Sequence, residues 1–212
     1  MKKYGELPKV VGEIQINCDE LMFYHSMLVK LAGVQEPVME TRLDVFKDIL
    51  GKICCDYIAE YGIDSYMNSN VYFSAKKLYQ EKGSSFNRKG YHSDGFMSDD
   101  INYIWYDSEP TIFNNSDFKI TLDDTKSMVE MDEQALKENE YLYPNNTVLR
   151  LNQYQIHKVS ASDADSLRVF VKVTFSKDIF NLKGNTINPL IDYNWDFRER
   201  SITRNIPQNI KK

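Results

Sequence analysis

Thr147-Val148-Leu149-Arg150-Leu151, Gln155-Ile156-His157-Lys158-Val159 and Leu167-Arg168-Val169-Phe170-Val171-Lys172-Val173-Thr174-Phe175 are three runs separated by short polar turns. β-Branched and apolar residues alternate with polar ones, and the spacing predicts three strands in close succession. Working back, Thr125 to Glu138 reads as an acidic surface helix. Thr111-Ile112-Phe113 and Phe118-Lys119-Ile120-Thr121-Leu122 read as short strands split by an Asn-rich turn. Ile101 to Tyr106 and Val71 to Ala75 read as further strands, with a loop from Glu81 to Ser85. Before Gly62 the period changes. Leu43, Phe46, Ile49, Leu50, Ile53, Cys54, Tyr57, Ile58 and Tyr61 recur at helical spacing in a segment that Pro37 can open and Gly62 can end. Asp19 can cap an earlier helix, Glu20 to Ala32, which Gly33 can end. Helices followed by about eight short strands predict an α+β chain, with the strands in a double-sheet sandwich or jelly roll and the helices packed on one sheet. The expected organisation is a single domain over 1–212, with helical support over 1–66, the β core over 67–200 and a polar tail over 201–212.

Composition excludes several classes. The 212 residues carry 26 Lys+Arg against 31 Asp+Glu, a net charge of −5, without a basic run, which argues against duplex nucleic acid as a partner. No segment reaches the ~18 apolar residues of a membrane span, and the N-terminus has no apolar signal segment, so a cytoplasmic location is expected. Cys18, Cys54 and Cys55 are neither a disulfide framework nor a CxxC zinc site. Cys54 falls on the apolar stripe of its helix and reads as a packing residue.

With three histidines in all, a transition-metal site has few ligands to draw on. His92 and Asp94 lie in Gly90-Tyr91-His92-Ser93-Asp94-Gly95-Phe96, and in extended chain such i, i+2 side chains share a face and can chelate one cation. His157 lies in a strand. If the turn 161–166 makes a hairpin with the next strand, Arg168 is its diagonal neighbour, and a half-buried guanidinium there calls for an anionic partner such as a carboxylate. Two His and one carboxylate form the facial triad of non-haem Fe(II) sites. Plainer readings stand beside these. His92 could be a turn histidine, His157 a core histidine, and Arg168 could pair with Asp163 or Asp165. Tyr103 and Trp105 could be core, and Arg88-Lys89 surface. His25 has no motif partner and reads as a packing or surface residue.

The pattern His92-x-Asp94 … His157 … Arg168 resembles the Fe(II)/2-oxoglutarate-dependent dioxygenases. That resemblance implies a double-stranded β-helix, Fe(II) on His92, Asp94 and His157, and 2-oxoglutarate as cosubstrate with its C5 carboxylate on Arg168. Tyr103 is a further candidate for cosubstrate binding, and Arg88 and Trp105 are candidates for the substrate. The stretch Tyr103 to Phe113 is similar to the family's strand–turn–strand after HxD, with Glu109-Pro110 in place of Gly-Gly. The block His92-x-Asp94-Gly95-Phe96 … Asp99-Asp100-x-Asn102-Tyr103-x-Trp105 is also similar to uncharacterised bacteriophage proteins, which would place the chain in a host cytoplasm. The implied activity is hydroxylation of a nucleobase, nucleotide or small metabolite. The alternative is a catalytically silent jelly-roll binding protein, such as a phage anti-defence protein that sequesters a small nucleotide signal.

Overall fold

The structure is a computed structural model and describes residues 3–84 and 90–200. Its first part comprises strands β1 (Lys9–Glu13) and β2 (Met22–Lys30), a 3-10 turn (Thr41–Phe46), and helices α1 (Lys47–Tyr61) and α2 (Ile63–Met67). Then come β3 (Asn70–Gln80), β4 (His92–Ser93), β5 (Ile101–Tyr106), β6 (Thr111–Asn114), α3 (Asp124–Gln134), β7 (Glu140–Leu142), β8 (Thr147–Leu151), β9 (Ile156–Val159) and β10 (Ser166–Ser176). All strand pairings are antiparallel. One sheet has the order β1-β8-β5-β10-β3-β2 and the other β4-β9-β6-β7. From β3 onward the chain passes back and forth between them, with β3, β5, β8 and β10 in the larger sheet and β4, β6, β7 and β9 in the smaller, where β6 and β7 follow one another.

Strand parity sorts the larger sheet into two faces. Val71, Phe73 and Ala75 of β3, Tyr103 and Trp105 of β5, and Val169, Val171, Val173 and Phe175 of β10 pack with Leu43, Phe46, Ile49, Ile53 and Tyr57 in one core. Phe175 stacks on Tyr57 with ring centroids 3.9 Å apart. Residues of the other parity, including Ser74, Lys76, Asn102, Phe170, Lys172 and Thr174, line a cavity of about 1320 Å³. Lys30, at the end of β2, is buried and donates to the carbonyls of Tyr66 and Ser69 at 2.9 and 2.8 Å. It thereby places its ammonium against carbonyls at and just beyond the C-terminal end of α2.

Several expectations are corrected. The predicted helix over 20–32 is β2, and residues before Thr41 contribute two edge strands, so the helical part of the N-terminal region runs only from Thr41 to Met67. The register of β2 on β3 shifts between Tyr24 and Met27, where Ser26 has a φ of 45°. This bulge puts Met22, Met27 and Val29 on the same core and breaks the alternation by which a strand is recognised. The helix expected from Pro37 starts only after residue 40, but it does end at Gly62, whose φ is 85°. Cys54 is buried in the helix core and Cys55 is exposed. Residues 118–122 form no strand. Gln134 and Glu130 of α3 take the backbone groups a neighbouring strand would have used, with Lys119 N–H donating to Gln134 Oε1 at 2.8 Å and Thr121 N–H to Glu130 Oε2 at 2.6 Å. β9 and β10 are not a hairpin: β9 pairs with β4 and β6, β10 with β3 and β5. No helix among the described residues is long and apolar enough to cross a membrane.

Candidate metal centre

β4 is only two residues long, yet it sets the centre. His92 pairs directly across from His157 on β9, and their rings lie 4.7 Å apart. A turn follows β4 at once, in which the Gly95 carbonyl accepts from Ser98 N–H and from its hydroxyl. Gly95 has a φ of 68°, and a Cβ there would stand 2.9 Å from Ser98 Oγ and 3.1 Å from Asp100 Cβ, so glycine is required. The turn carries Asp94 back over the two imidazoles. One ligand atom from each of His92, Asp94 and His157 lies within 4.8 Å of the others, and His157 Nε2 stands 3.6 Å from Asp94 Oδ2. The Asp94-Gly95 turn and the ligand pair predicted for this stretch are thus one feature.

The histidines are presented in a metal-binding tautomer. Nδ1 of His92 meets the carbonyl of Gly90 at 3.2 Å, and Nδ1 of His157 that of Gln155 at 3.1 Å. A carbonyl only accepts, so each Nδ1 carries the proton and each Nε2 the lone pair. Backbone carbonyls therefore help orient the rings. Burial opposes ionisation of Asp94, but the Lys172 ammonium, His157 and His92 outweigh it and hold the carboxyl well below its usual range. The strongest contact is Lys172 Nζ to Asp94 Oδ2, at 2.8 Å.

Lys172 was not anticipated as a site residue. Its signal was present, because Arg168, Phe170, Lys172 and Thr174 share one parity of β10 while Val169, Val171 and Val173 take the other. Arg168 is on the predicted face, but through the larger sheet and not through a hairpin with β9. It is buried, donates from Nε to the Ser108 carbonyl at 3.0 Å, and lies over the rings of Tyr106 and Phe170 at 5.7 and 5.0 Å. Its Nη2 is buried with no hydrogen-bond partner among the described residues. Burial lowers its pKa to about 10 against the opposing pull of Asp107, Tyr106 and Glu109. Glu109, which stands where the resembling family has glycine, takes a φ of 49° and so adopts the backbone region glycine favours.

Tyr103 and Trp105 are corrected. Both are fully buried on the helix-facing side of the sheet, away from the triad. The Tyr103 hydroxyl donates to Asp56 Oδ2 at 2.8 Å, and Trp105 Nε1 to the Ile14 carbonyl at 2.9 Å. Parity is the reason: Asn102 and Ile104 line the cavity, so their neighbours point the other way. Tyr103→Phe is therefore expected to lower stability by about 1 kcal/mol, read by urea unfolding, and to leave cosubstrate affinity unchanged. A loss of that affinity would return Tyr103 to the site. Arg88 lies outside the described residues.

His25 is on β2, not on a helix, and lines the cavity. Burial lowers its pKa from 6.5 to about 4, and Lys76, Arg200 and Lys172 add to the effect. Between these two values the unfolded chain binds a proton that the folded chain does not, so stability falls as pH drops from 6.5 toward 4. His25→Gln is expected to weaken this acid-side loss. The check is the difference in denaturation midpoint between neutral pH and a pH just above His25's folded value, which should be smaller in the variant than in the parent.

No protein-family profile and no curated protein matches the chain. Among solved structures it is similar to EvdO2 from Micromonospora carbonacea var. aurantiaca at 11% identity and a TM-score of 0.41, over 66% of this chain and 68% of that one. EvdO2 complexed with 2-oxoglutarate is similar at 12% identity and a TM-score of 0.42, over 79% and 76%. Likeness of this degree assigns no function to the chain.

Proposed function

We propose that the protein is an Fe(II)- and 2-oxoglutarate-dependent oxygenase acting on a small molecule, with nucleobases and nucleotides the favoured class. The observation that carries this reading is the convergence of His92, Asp94 and His157 beside a large cavity. The strand order adds support. Alternation of β3 to β10 between two antiparallel sheets suits a double-stranded β-helix.

The donor set fits the metal. Two neutral imidazoles and one ionised carboxylate are the ligands non-haem Fe(II) takes while keeping open positions. Iron held there would supply the oxidation of a substrate C–H bond by O₂, coupled to conversion of 2-oxoglutarate to succinate and CO₂. The chain's own tasks are distinct. The Gly90 and Gln155 carbonyls fix the two rings. Arg168 fits the C5 carboxylate of 2-oxoglutarate, because its Nη2 is a buried donor awaiting an acceptor and its guanidinium is held between aromatic faces. Ile104, Val159 and Phe170 give the cavity apolar walls, which strengthen charge pairing inside it.

One observation favours a second reading, a silent jelly-roll binding protein of the kind that could sequester a small nucleotide. The Lys172 ammonium already provides Asp94 with a cation at 2.8 Å, so the carboxylate is compensated without metal. Anaerobic addition of Fe(II) and 2-oxoglutarate separates the two. The oxygenase gives a visible charge-transfer band and slow succinate release, and His92→Ala abolishes both. Absence of band and succinate in the parent chain, with a nucleotide retained through purification, selects the binding protein.

A further inference from the structure

Asn102 of β5 lies beneath the turn that carries Asp94. A Cβ on Gly95 would stand 3.5 Å from Asn102 Nδ2 and 3.1 Å from Asp100 Cβ, so the turn rests on both residues. Asn102 is 1% exposed and belongs to the cavity wall. The Thr174 hydroxyl donates to its Oδ1 at 2.7 Å, which commits that oxygen and turns Nδ2 to the other side. Nδ2 is buried and has no hydrogen-bond partner among the described residues. A buried amide donor is costly to leave unpaired. Because Nδ2 is closed to solvent, the acceptor it calls for is a group of the protein beside it and not a ligand in the open cavity.

The sheet register shows which group that is. Thr174 lies across from Asn102, and Lys172 across from Ile104. Lys172 and Asn102 are therefore diagonal neighbours on the cavity face, ~7–8 Å apart. The Asp94-Gly95 pair spans the two: the carboxylate takes Lys172 Nζ at 2.8 Å, and the glycine borders Asn102 Nδ2. The two donors differ in a way that matters to a metal. An ammonium and a divalent cation repel each other across a shared carboxylate, whereas a neutral amide N–H adds no net charge. Carboxylates that ligate metals are themselves held by hydrogen bonds, and Asn102 offers one that does not compete with the ion.

We propose that Asn102 is a positioning residue of the metal centre: with metal on Asp94, Asn102 Nδ2 donates to the carboxylate oxygen of Asp94 that the ion does not use, in place of Lys172. Asp94 thus exchanges a charged partner for a neutral one when it takes up metal. Thr174 serves the same end, because its hydroxyl fixes which end of the amide faces the turn. The inference deepens the iron reading and rests on it.

The test joins Asn102→Leu and Thr174→Val in one full-length chain, so that both partners of their hydrogen bond become apolar groups of similar shape. Asn102→Ala, which removes the donor without adding bulk, is run beside it. Mn(II) is titrated by calorimetry, its electron paramagnetic resonance is recorded at saturation, and the metal-free thermal midpoint is measured. In the double variant the midpoint holds or rises, because an unmatched buried donor is gone. In both variants Mn(II) affinity falls about tenfold or more, the scale of losing a group that orients a metal ligand, and the spectrum at saturation changes because Asp94 is no longer fixed. Two results overturn the role of Asn102 while leaving the centre intact. One is affinity and spectrum equal to the parent's. The other is weaker binding with an unaltered spectrum and a lowered metal-free midpoint, which marks a packing residue. A parent chain that binds no Mn(II) overturns the iron reading itself, and this role with it.

Discussion

An Asp94→Ala chain is expected to lose Fe(II) and Mn(II) binding by more than the roughly 10–100-fold that follows loss of a group merely orienting a ligand. Asp94 is the only anion in the triad, and its charge is what lets two neutral imidazoles retain a divalent cation. Its ionised form is secured against burial above all by Lys172, so the carboxylate is available across the neutral range. The variant has a second effect. Lys172 loses its 2.8 Å partner and is left facing Lys76 and Arg168 on the same sheet face. Lys172→Met has the opposite signature: it leaves all three ligands in place and removes a competitor for Asp94 Oδ2, so metal affinity rises. Anaerobic metal titration with electron paramagnetic resonance of Mn(II) reads both variants. Tight stoichiometric binding by Asp94→Ala would falsify the centre as described.

Replacing Arg168 by Met is expected to weaken 2-oxoglutarate binding about 100-fold, toward the lower end of the ~2–5 kcal/mol that loss of one partner of a buried charge pair costs. Metal affinity should be unchanged. Fold stability should hold or rise, because among the described residues Arg168 hydrogen-bonds to Ser108 and otherwise buries a cation with an unmatched Nη2. Arg168→Lys is not expected to restore affinity, since an ammonium has no planar fork for a bidentate carboxylate. Equal 2-oxoglutarate affinity in Arg168→Met and the parent chain would move the cosubstrate carboxylate elsewhere, with Lys172 the next cation along the same face of β10.

Much of this was legible in the residues. The alternation over 101–106, 147–151 and 167–175 and the helical stripe ending at Gly62 were read as strands and helix, and they form as such. His92, Asp94 and His157 were named as one ligand set, and they converge. The misreadings share a cause. The segment 20–32, read as a helix between Asp19 and Gly33, is a strand in which a bulge at Ser26 shifts the phase of an otherwise extended chain. Residues 118–122 look like a strand in composition, but side chains of α3 satisfy their backbone. Tyr103 and Trp105 were placed correctly in a strand and given the wrong face.

Local chemistry therefore determined which segments extend or coil and which side chains are able to ligate a metal. Those properties depend on spacings of a few residues, and these are written directly in the chain. Which face of each strand meets the cavity, and which distant groups share it, was decided only by tertiary structure. A strand has two equivalent sides until sheet pairing and the packed helix bury one of them, and a one-residue bulge exchanges the two. The pairing of His92 with His157, the hold of Lys172 on Asp94, and the place of His25 and Lys76 on the cavity wall all follow from that choice of side.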